Sequence, residues 1–356
     1  MAPRATRTRI AVGAAALLLA AGAWISGLAE RGARPPERPD VSFPKYPRQA
    51  ERERIAARQT LPARPAAAGR TDEDPVELRD PFLRSLPLGD GDAFVVLEAN
   101  ALRHSRLGEL FVQCVLADHP EAFAEIARET GIDPLKDVDR VAYAGRAVVV
   151  SGFFDRVKWD AFQKSANARS APYGDGATLW TSEGDGEAVA SWRDQLVIAG
   201  PIADVRRAVD QVEGRAEPRR KDVADDMAYG ELYGVVPGAA ARDLLPAEDG
   251  ALAARLAAAA QRIELHVDAQ DDVAGVIRVT GEPGQEVDDL ARSLGAALSI
   301  ARVKAAATDD AKLSALLEHA QVVPRDGGFT VEVALPADVL QEFFKDCGKR
   351  RAKPTE

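Results

Sequence analysis

Residues 138–153 read VDRVAYAGRAVVVSGF, two β-prone runs on either side of Gly145-Arg146. A two-residue loop with glycine first is typical of a type II′ hairpin, because glycine tolerates the positive φ that this turn requires. A second hairpin is predicted within residues 263–280, where two apolar runs flank Asp271-Asp272. Since hairpins join antiparallel strands, both regions predict largely antiparallel sheets.

The predicted elements around the two hairpins follow the same order. Strand, helix, hairpin, helix and strand occur near residues 93–199 and again near 229–335, although the residues themselves are not repeated. Helices are recognised by apolar residues at helical spacing, which in the first helix are Leu107, Leu110, Phe111, Cys114 and Val115. We therefore predict an α+β fold of two tandem related units, residues 88–214 and 215–347, with helices packed on one face of mostly antiparallel sheets.

The N-terminus combines a basic run with an apolar one. Arg4, Arg7 and Arg9 precede residues 10–28, IAVGAAALLLAAGAWISGL, which carry no charge. A bilayer core needs about 20 apolar helical residues, and the arginines favour a cytoplasmic N-terminus. The pattern favours an uncleaved signal-anchor over residues 1–29, and cleavage at Gly27-Leu28-Ala29 is the alternative. Residues 10–28 thus predict a single-pass protein of a bacterial inner membrane with a periplasmic C-terminal region.

The next segment, residues 30–87, is rich in proline. Ten of the 22 prolines lie between Pro35 and Pro87, with few large apolar residues among them. Such a segment buries little surface and proline keeps it extended, so a disordered, semi-stiff linker is predicted. A short helix near residues 50–58 is compatible with the sequence AERERIAAR. At the other end, residues 348–356 form a basic tail.

Charge is divided unevenly along the chain. Residues 1–70 hold 13 Arg and Lys against 5 Asp and Glu, whereas the remainder holds 33 against 51. A basic tether suits anionic lipid headgroups. An acidic body argues against nucleic acid as a partner, because phosphate contacts require a basic face.

The chain has two cysteines, Cys114 and Cys347. In an oxidising compartment such a pair can form a disulfide, but the sequence does not place the two within bonding distance. The favoured interpretation is that Cys114, on the apolar stripe of its helix, is a small buried hydrophobic residue.

Three segments carry a resemblance to known proteins. They are the turn GIDPLKD at 131–137, the strand VDRVA at 138–142 and VVVSGFFD at 148–155. Together they resemble an uncharacterised family of bacterial envelope-anchored proteins. The resemblance implies a membrane segment and a Pro-rich spacer before a duplicated α/β region, and it implies no catalytic residues.

One group of side chains in the sequence contains the residue types of a cation site. His266 lies near Asp268, Asp271 and Asp272 at the tip of the second hairpin, where a cation site is conceivable. Aspartates in turns commonly bond their own backbone, and that interpretation is favoured. The other histidines, His104, His119 and His319, have no metal-site spacing. The sequence therefore predicts no catalytic, cofactor-binding or metal-binding residues.

Two functions are consistent with this pattern. The favoured one is a non-catalytic protein, tethered to the inner membrane through residues 10–28, that binds a partner protein, peptide or glycan in the envelope. The alternative is an extracytoplasmic hydrolase with a dispersed active site. Trp180 and Trp192, if they met across a hairpin, could line a peptide- or sugar-binding face.

Overall fold

The computed structural model describes residues 41–58, 61–62, 78–89, 91–118, 121–182, 186–217, 227–240, 250–282, 285–307 and 317–344. The predicted anchor at 10–28 and the basic tail at 348–356 lie outside these ranges. Among the helices inside them, none has the length and apolar character needed to cross a membrane.

Helices and antiparallel strands share the described chain, so the predicted α+β class is confirmed. The strands are β1 (Leu61–Pro62), β2 (Leu78–Arg79), β3 (Phe94–Leu97), β4 (Val138–Ala144), β5 (Ala147–Gly152), β6 (Ala168–Tyr173), β7 (Ala177–Ser182), β8 (Glu187–Trp192), β9 (Leu196–Pro201), β10 (Leu232–Pro237), β11 (Ala260–Asp268), β12 (Val273–Gly281), β13 (Ala320–Arg325) and β14 (Gly328–Leu335). The helices are α1 (Gln49–Ala56), α2 (Pro81–Arg84), α3 (Ala99–Arg103), α4 (Arg106–Asp118), α5 (Ala122–Thr130), α6 (Trp159–Ser165), α7 (Ile202–Val212), α8 (Gly250–Ala259), α9 (Gln285–Ala307) and α10 (Ala337–Phe344).

The chain divides into two compact units. The N-terminal unit contains Pro47–Ala101 and His119–Tyr229. The C-terminal unit contains the chain from Gly230 onward, and it also takes Leu102–Asp118, which includes α4. The predicted boundary between residues 214 and 215 placed α4 in the first unit instead, because consecutive elements usually pack together.

Five strands have the same order in both units. In the C-terminal unit the order is β10-β11-β12-β14-β13. In the N-terminal unit β3-β4-β5-β9-β8 repeats that order, and β7 and β6 extend it. All of these pairings are antiparallel, which matches the expectation from the two hairpins.

The first predicted hairpin forms as its sequence indicates. β4 pairs with β5, and Ala144 lies opposite Ala147 across the two-residue loop. Gly145 has a φ of +59°, the sign that a type II′ turn needs at this position. β6 and β13 were not expected from the sequence. Each contains a proline, Pro172 and Pro324, which weakens a strand signal because proline lacks a ladder donor.

Part of the predicted linker is folded. Residues 49–56 form α1, and residues 78–84 form β2 and α2. Phe82 is fully buried, and Leu86 and Leu88 are nearly so. These few large residues are enough to anchor the segment, whereas the proline content of the whole stretch suggested disorder.

The N-terminal sheet has one fully buried side, named here the inner face. Phe94, Val96, Ala142, Val149 and Ile198 lie on it and are at most 1% exposed. Helix α7 packs over β8 and β9, with Val205, Ala208 and Val209 buried.

Helices in fact lie on both sides of the N-terminal sheet. Trp192, on the inner face, donates from Nε1 to Glu213 just after α7, at 3.2 Å. Trp180 lies on the other face and stacks on Trp159 of α6. The expectation that helices cover one face is therefore wrong for this unit, because α7 packs on the inner face and α6 packs against Trp180 on the opposite face.

In the C-terminal unit the long helix α9 packs on β13 and β14. Leu298, Ala301 and Ala305 of α9 form a cluster with Leu317 and Ala320. Val322 of β13 and Val333 of β14 pack against this cluster. The apolar stripe of α9 therefore runs from Leu298 through Ala301 and Ala305 toward the C-terminal end of the helix.

Candidate functional site

The side of the N-terminal sheet opposite the inner face is apolar and only half-buried; we call it the outer face. Its residues form two rows that run across five strands in register. The first row consists of Val95, Tyr143, Val148, Ala199 and Val189. The second consists of Leu97, Val141, Val150, Val197 and Ser191.

The exposure of these rows contrasts with that of the inner face. Val148 is 37% exposed, and Val95, Leu97 and Val150 are of intermediate exposure. An antiparallel sheet with one side toward solvent normally carries polar residues there. Neither row contains a charged residue. The two rows therefore form an apolar, partly exposed surface and are a candidate for an interaction site.

One polar group in the rows is poorly accommodated. Ser191 is 6% exposed, and its hydroxyl has no hydrogen-bond partner within the described ranges. Leaving a buried hydroxyl unbonded costs about 1–3 kcal/mol. Its cross-strand neighbours in the sheet are Val197 and Thr178.

An aromatic cluster closes one end of the outer face. The rings of Trp159 and Trp180 stack at 4.4 Å, and Phe162 meets both edge-on. Trp180 pairs with Val189 and Trp192 pairs with Ala177, so the two tryptophans point to opposite faces. They therefore do not form the shared binding face that the sequence suggested, because strand register rather than proximity in sequence decides their side.

A buried ion network lies at the end of the inner face. Asp80 accepts hydrogen bonds from the two terminal guanidinium nitrogens of Arg140, at 2.5 and 3.0 Å. It also caps α2 by accepting from the amide of Phe82. Arg58 bonds Asp80 at 3.4 Å and Glu98 at 2.5 Å. The side chains of Asp80, Glu98 and Arg58 are at most 8% exposed. Two cations and two anions balance, so the network is suited to holding Arg58 and the start of α2 in place.

A second carboxylate holds a hairpin turn. Glu213 accepts from the amides of Asp175 and Gly176 and from the indole of Trp192. It also pairs with Arg215. This carboxylate satisfies the donors of the β6–β7 turn, and its role is structural.

Tyr173 ends β6 beside this turn. Its hydroxyl donates to Asp210 of α7 at 3.1 Å. Burial, reinforced by this hydrogen bond, raises the pKa of Tyr173.

The predicted constellation at the second hairpin is structural where its contacts are defined. Asp268 accepts from the amide of Gln270 at 3.1 Å, and Asp272 accepts from the amide of Ala337 at 2.8 Å. His266 lies on β11 and is 3% exposed. Within the described residues, no group of three or more His, Cys, Asp or Glu side chains is arranged to hold a metal ion. The favoured interpretation of Asp268, a turn aspartate bonding nearby backbone, agrees with its contact.

His266 belongs to a polar side of the C-terminal sheet. Its cross-strand row runs from Tyr233 through His266 and Val276 to Glu332. Glu332, with a side chain 5% exposed, pairs with Lys45 at 3.7 Å and accepts from Gln321. Lys45, which precedes α1, therefore contacts this side of the C-terminal sheet.

Cys114, on α4, forms a disulfide bond. The sequence holds one other cysteine, Cys347, which follows α10 and lies outside the described residues. α4 packs against α10 within the C-terminal unit. Both cysteines thus belong to, or closely follow, helices that are in contact.

The predicted stripe of α4 is less buried than expected. Phe111 is 51% exposed, and Leu107, Leu110 and Cys114 are of intermediate exposure. The helical spacing was correct, but α4 joins the C-terminal unit and leaves part of its stripe in solvent.

Sequence reasoning missed the outer face. The alternation in β3 and β5 is apolar on both sides, which predicts strands but does not say which side is less covered. The signal that was present is the lack of charge at two successive outward positions on each of five neighbouring strands.

No family model, curated protein or solved structure matches this chain.

Proposed function

We propose that this chain is an exported, membrane-tethered protein that binds a partner protein through the outer face and is not an enzyme. The observation that carries the proposal is the pair of uncharged rows across β3, β4, β5, β9 and β8, with Val148 37% exposed. An apolar face left partly in solvent reduces solubility, so its persistence is accounted for by a partner that covers it.

The proposed compartment is the periplasmic side of a bacterial inner membrane, with residues 10–28 as the tether. The disulfide at Cys114 supports it, because disulfides persist in oxidising compartments and are rare in the cytosol. The basic residues before position 10 support the same orientation.

A protein partner is favoured over a glycan by the character of the outer face. Sugars are bound by exposed aromatic rings together with several hydrogen-bonding groups. Trp180 is only 5% exposed and already stacks on Trp159. The remaining surface consists mainly of valine, which suits an apolar protein side chain.

We further propose that the two units are related by duplication, as in the envelope-anchored family that the sequence resembles. The common order of five strands supports this. In each unit a hairpin is followed by a connection to a strand parallel to its second strand, with one strand lying between them.

The location is tested by fusing alkaline phosphatase, which folds to an active form only where disulfides form, to the C-terminus. We expect active enzyme and membrane association. Deleting residues 10–28 should abolish both. An inactive fusion would contradict the proposed compartment.

The binding role is tested by chemical crosslinking in intact cells with wild type, Val148→Asp and Ala171→Asp. Ala171 lies on β6, is exposed and lies outside the rows, so it controls for adding a charge to the sheet. We expect at least one envelope protein to be captured by wild type and Ala171→Asp and to fall at least about tenfold with Val148→Asp. Equal capture by all three would refute the binding role of the outer face.

A further inference from the structure

We infer that residues 41–46, VSFPKY, are a strap that fastens the chain leaving the proposed membrane segment to the C-terminal unit, with its attachment point within about 45 Å of the bilayer. This inference rests on the proposed anchoring through residues 10–28 and specifies where the folded body begins along the chain. It is supported by the contacts of the strap, by its prolines and by the number of residues between it and position 28.

The strap packs within the C-terminal unit. Residues 41–46 group with this unit, although they precede the whole N-terminal unit in the sequence. Pro44 is buried, and Val41 and Phe43 are of intermediate exposure. These apolar side chains are thus removed from water, wholly or in part, and their burial favours the docked strap.

A nearly buried carboxylate gives the strap a defined position. The side chain of Glu332 is 5% exposed, and its Oε1 lies 3.7 Å from Nζ of Lys45. Its Oε2 accepts a hydrogen bond from Gln321 on the neighbouring strand. Because a buried carboxylate that loses its cation is strongly destabilising, Glu332 favours the arrangement in which Lys45 stays docked.

Two prolines prepare the strap for this contact. Pro44 and Pro47 lie on either side of Lys45 and Tyr46. Proline fixes its own φ and restricts the residue before it to extended conformations. Phe43 and Tyr46 are therefore biased toward an extended chain before docking, and less conformational entropy is lost when the strap binds.

The interval between the strap and the membrane segment is short. Twelve residues, 29–40, separate position 28 from Val41. At about 3.4 Å per residue, the fully extended chain covers this interval in about 45 Å. If the strap were released, the next buried residue would be Glu51 of α1, and the reach to the folded body would rise to about 80 Å. The docked strap thus restricts partners of the protein to the layer next to the membrane.

The experiment measures fluorescence energy transfer from the protein to a lipid surface. The full chain is reconstituted in phosphatidylcholine vesicles that carry an acceptor dye on their headgroups. A donor dye is placed through an unnatural amino acid at position 326, which is exposed in the turn between β13 and β14. Uncharged vesicles are used so that changes in protein charge do not alter attraction to the lipid.

Wild type is compared with a strap variant and a matched control. The strap variant, Pro44→Asp with Lys45→Glu, adds two carboxylates to the strap and opposes its contact with Glu332. The control, Lys136→Glu with Ala171→Asp, makes the same change of charge at exposed positions of the N-terminal unit. If the strap variant does not fold, Lys45→Glu alone replaces it, since this side chain is 53% exposed.

We expect the strap variant to lower energy transfer at least about twofold, because transfer to a plane of acceptors falls steeply as the reach grows from about 45 to about 80 Å. The control should match wild type. Deleting residues 10–28 should abolish association with the vesicles.

Other outcomes overturn the inference. Equal transfer from all three proteins would show that the strap does not set the distance, and an equal loss in the strap variant and the control would show a general effect of charge. If deleting residues 10–28 still abolishes association in these cases, the anchoring stands and the strap alone fails. If the deletion variant binds vesicles as wild type does, the proposed anchoring fails and the inference fails with it.

Discussion

The two sheets share the order of five strands and differ in how their apolar sides are covered. In the C-terminal unit α9 packs on β13 and β14, with Leu298 5% exposed. The N-terminal sheet has α6 at one end of its outer face and Val148 37% exposed. The connecting helix that packs on β13 and β14 is 23 residues long, whereas the equivalent connection to β8 contains only the 7-residue α6, and this difference separates the covered strands from the half-buried outer face.

The two units are also fixed by different interactions. In the N-terminal unit a buried ion network holds the segment that contains α2. In the C-terminal unit helix α4 carries a disulfide-bonded cysteine. The following predictions test whether these differences are energetic as well as geometric.

The largest effect is expected from Asp80→Ala. Its removal leaves Arg140 and Arg58 buried without their shared carboxylate and takes the cap from α2. Breaking a buried ion pair on one side costs about 3–5 kcal/mol. Glu125→Ala removes an exposed pair with Arg128 and should cost at most about 1 kcal/mol. Both are measured by urea unfolding, and equal losses would show that the network contributes little.

The next prediction compares the two apolar sides directly. Leu298→Ala should cost about 2–5 kcal/mol, because it opens a cavity under α9. Val148→Ala should cost about 0.5 kcal/mol, the scale of surface substitutions. Urea unfolding of the two variants checks the difference. If Val148→Ala were as costly as Leu298→Ala, the outer face would be core and the proposed interface would be lost.

A smaller effect is expected on removing the disulfide. The double variant Cys114→Ser, Cys347→Ser should lose about 2–4 kcal/mol, because the bond restricts the unfolded chain. Adding reductant to wild type should reproduce the loss and should leave the variant unchanged. If reductant changes the unfolding free energy of neither protein, no disulfide bond forms in solution.

Much of this architecture could be predicted from the sequence, for local reasons. Gly145 before Arg146 and the run of valines at 148–150 favour the first hairpin, and the spacing of Leu290, Leu294 and Leu298 favours α9. The sequence did not predict the folded part of the linker, because Phe82 and Leu86 are buried by elements that are distant in sequence. The outer face was missed for the same reason: exposure depends on what another segment covers, and strand periodicity records only which residues share a side.

The smallest effect is expected at the edge of the N-terminal sheet. Burial and the hydrogen bond to Asp210 raise the pKa of Tyr173, so the folded state favours the neutral phenol. Its contribution is complete below about pH 10, the ordinary value for tyrosine, and is lost as the pH rises through the folded pKa.

The comparison uses wild type and Tyr173→Phe, unfolded in urea between about pH 8 and pH 11. The wild type should be the more stable at pH 8, and the difference should shrink above about pH 10. Tyr173 is partly exposed, so the change is expected to be below about 1 kcal/mol. A difference that stays constant across this range would mean that the link between β6 and α7 does not depend on the phenol proton, and that packing alone holds the edge strand in place.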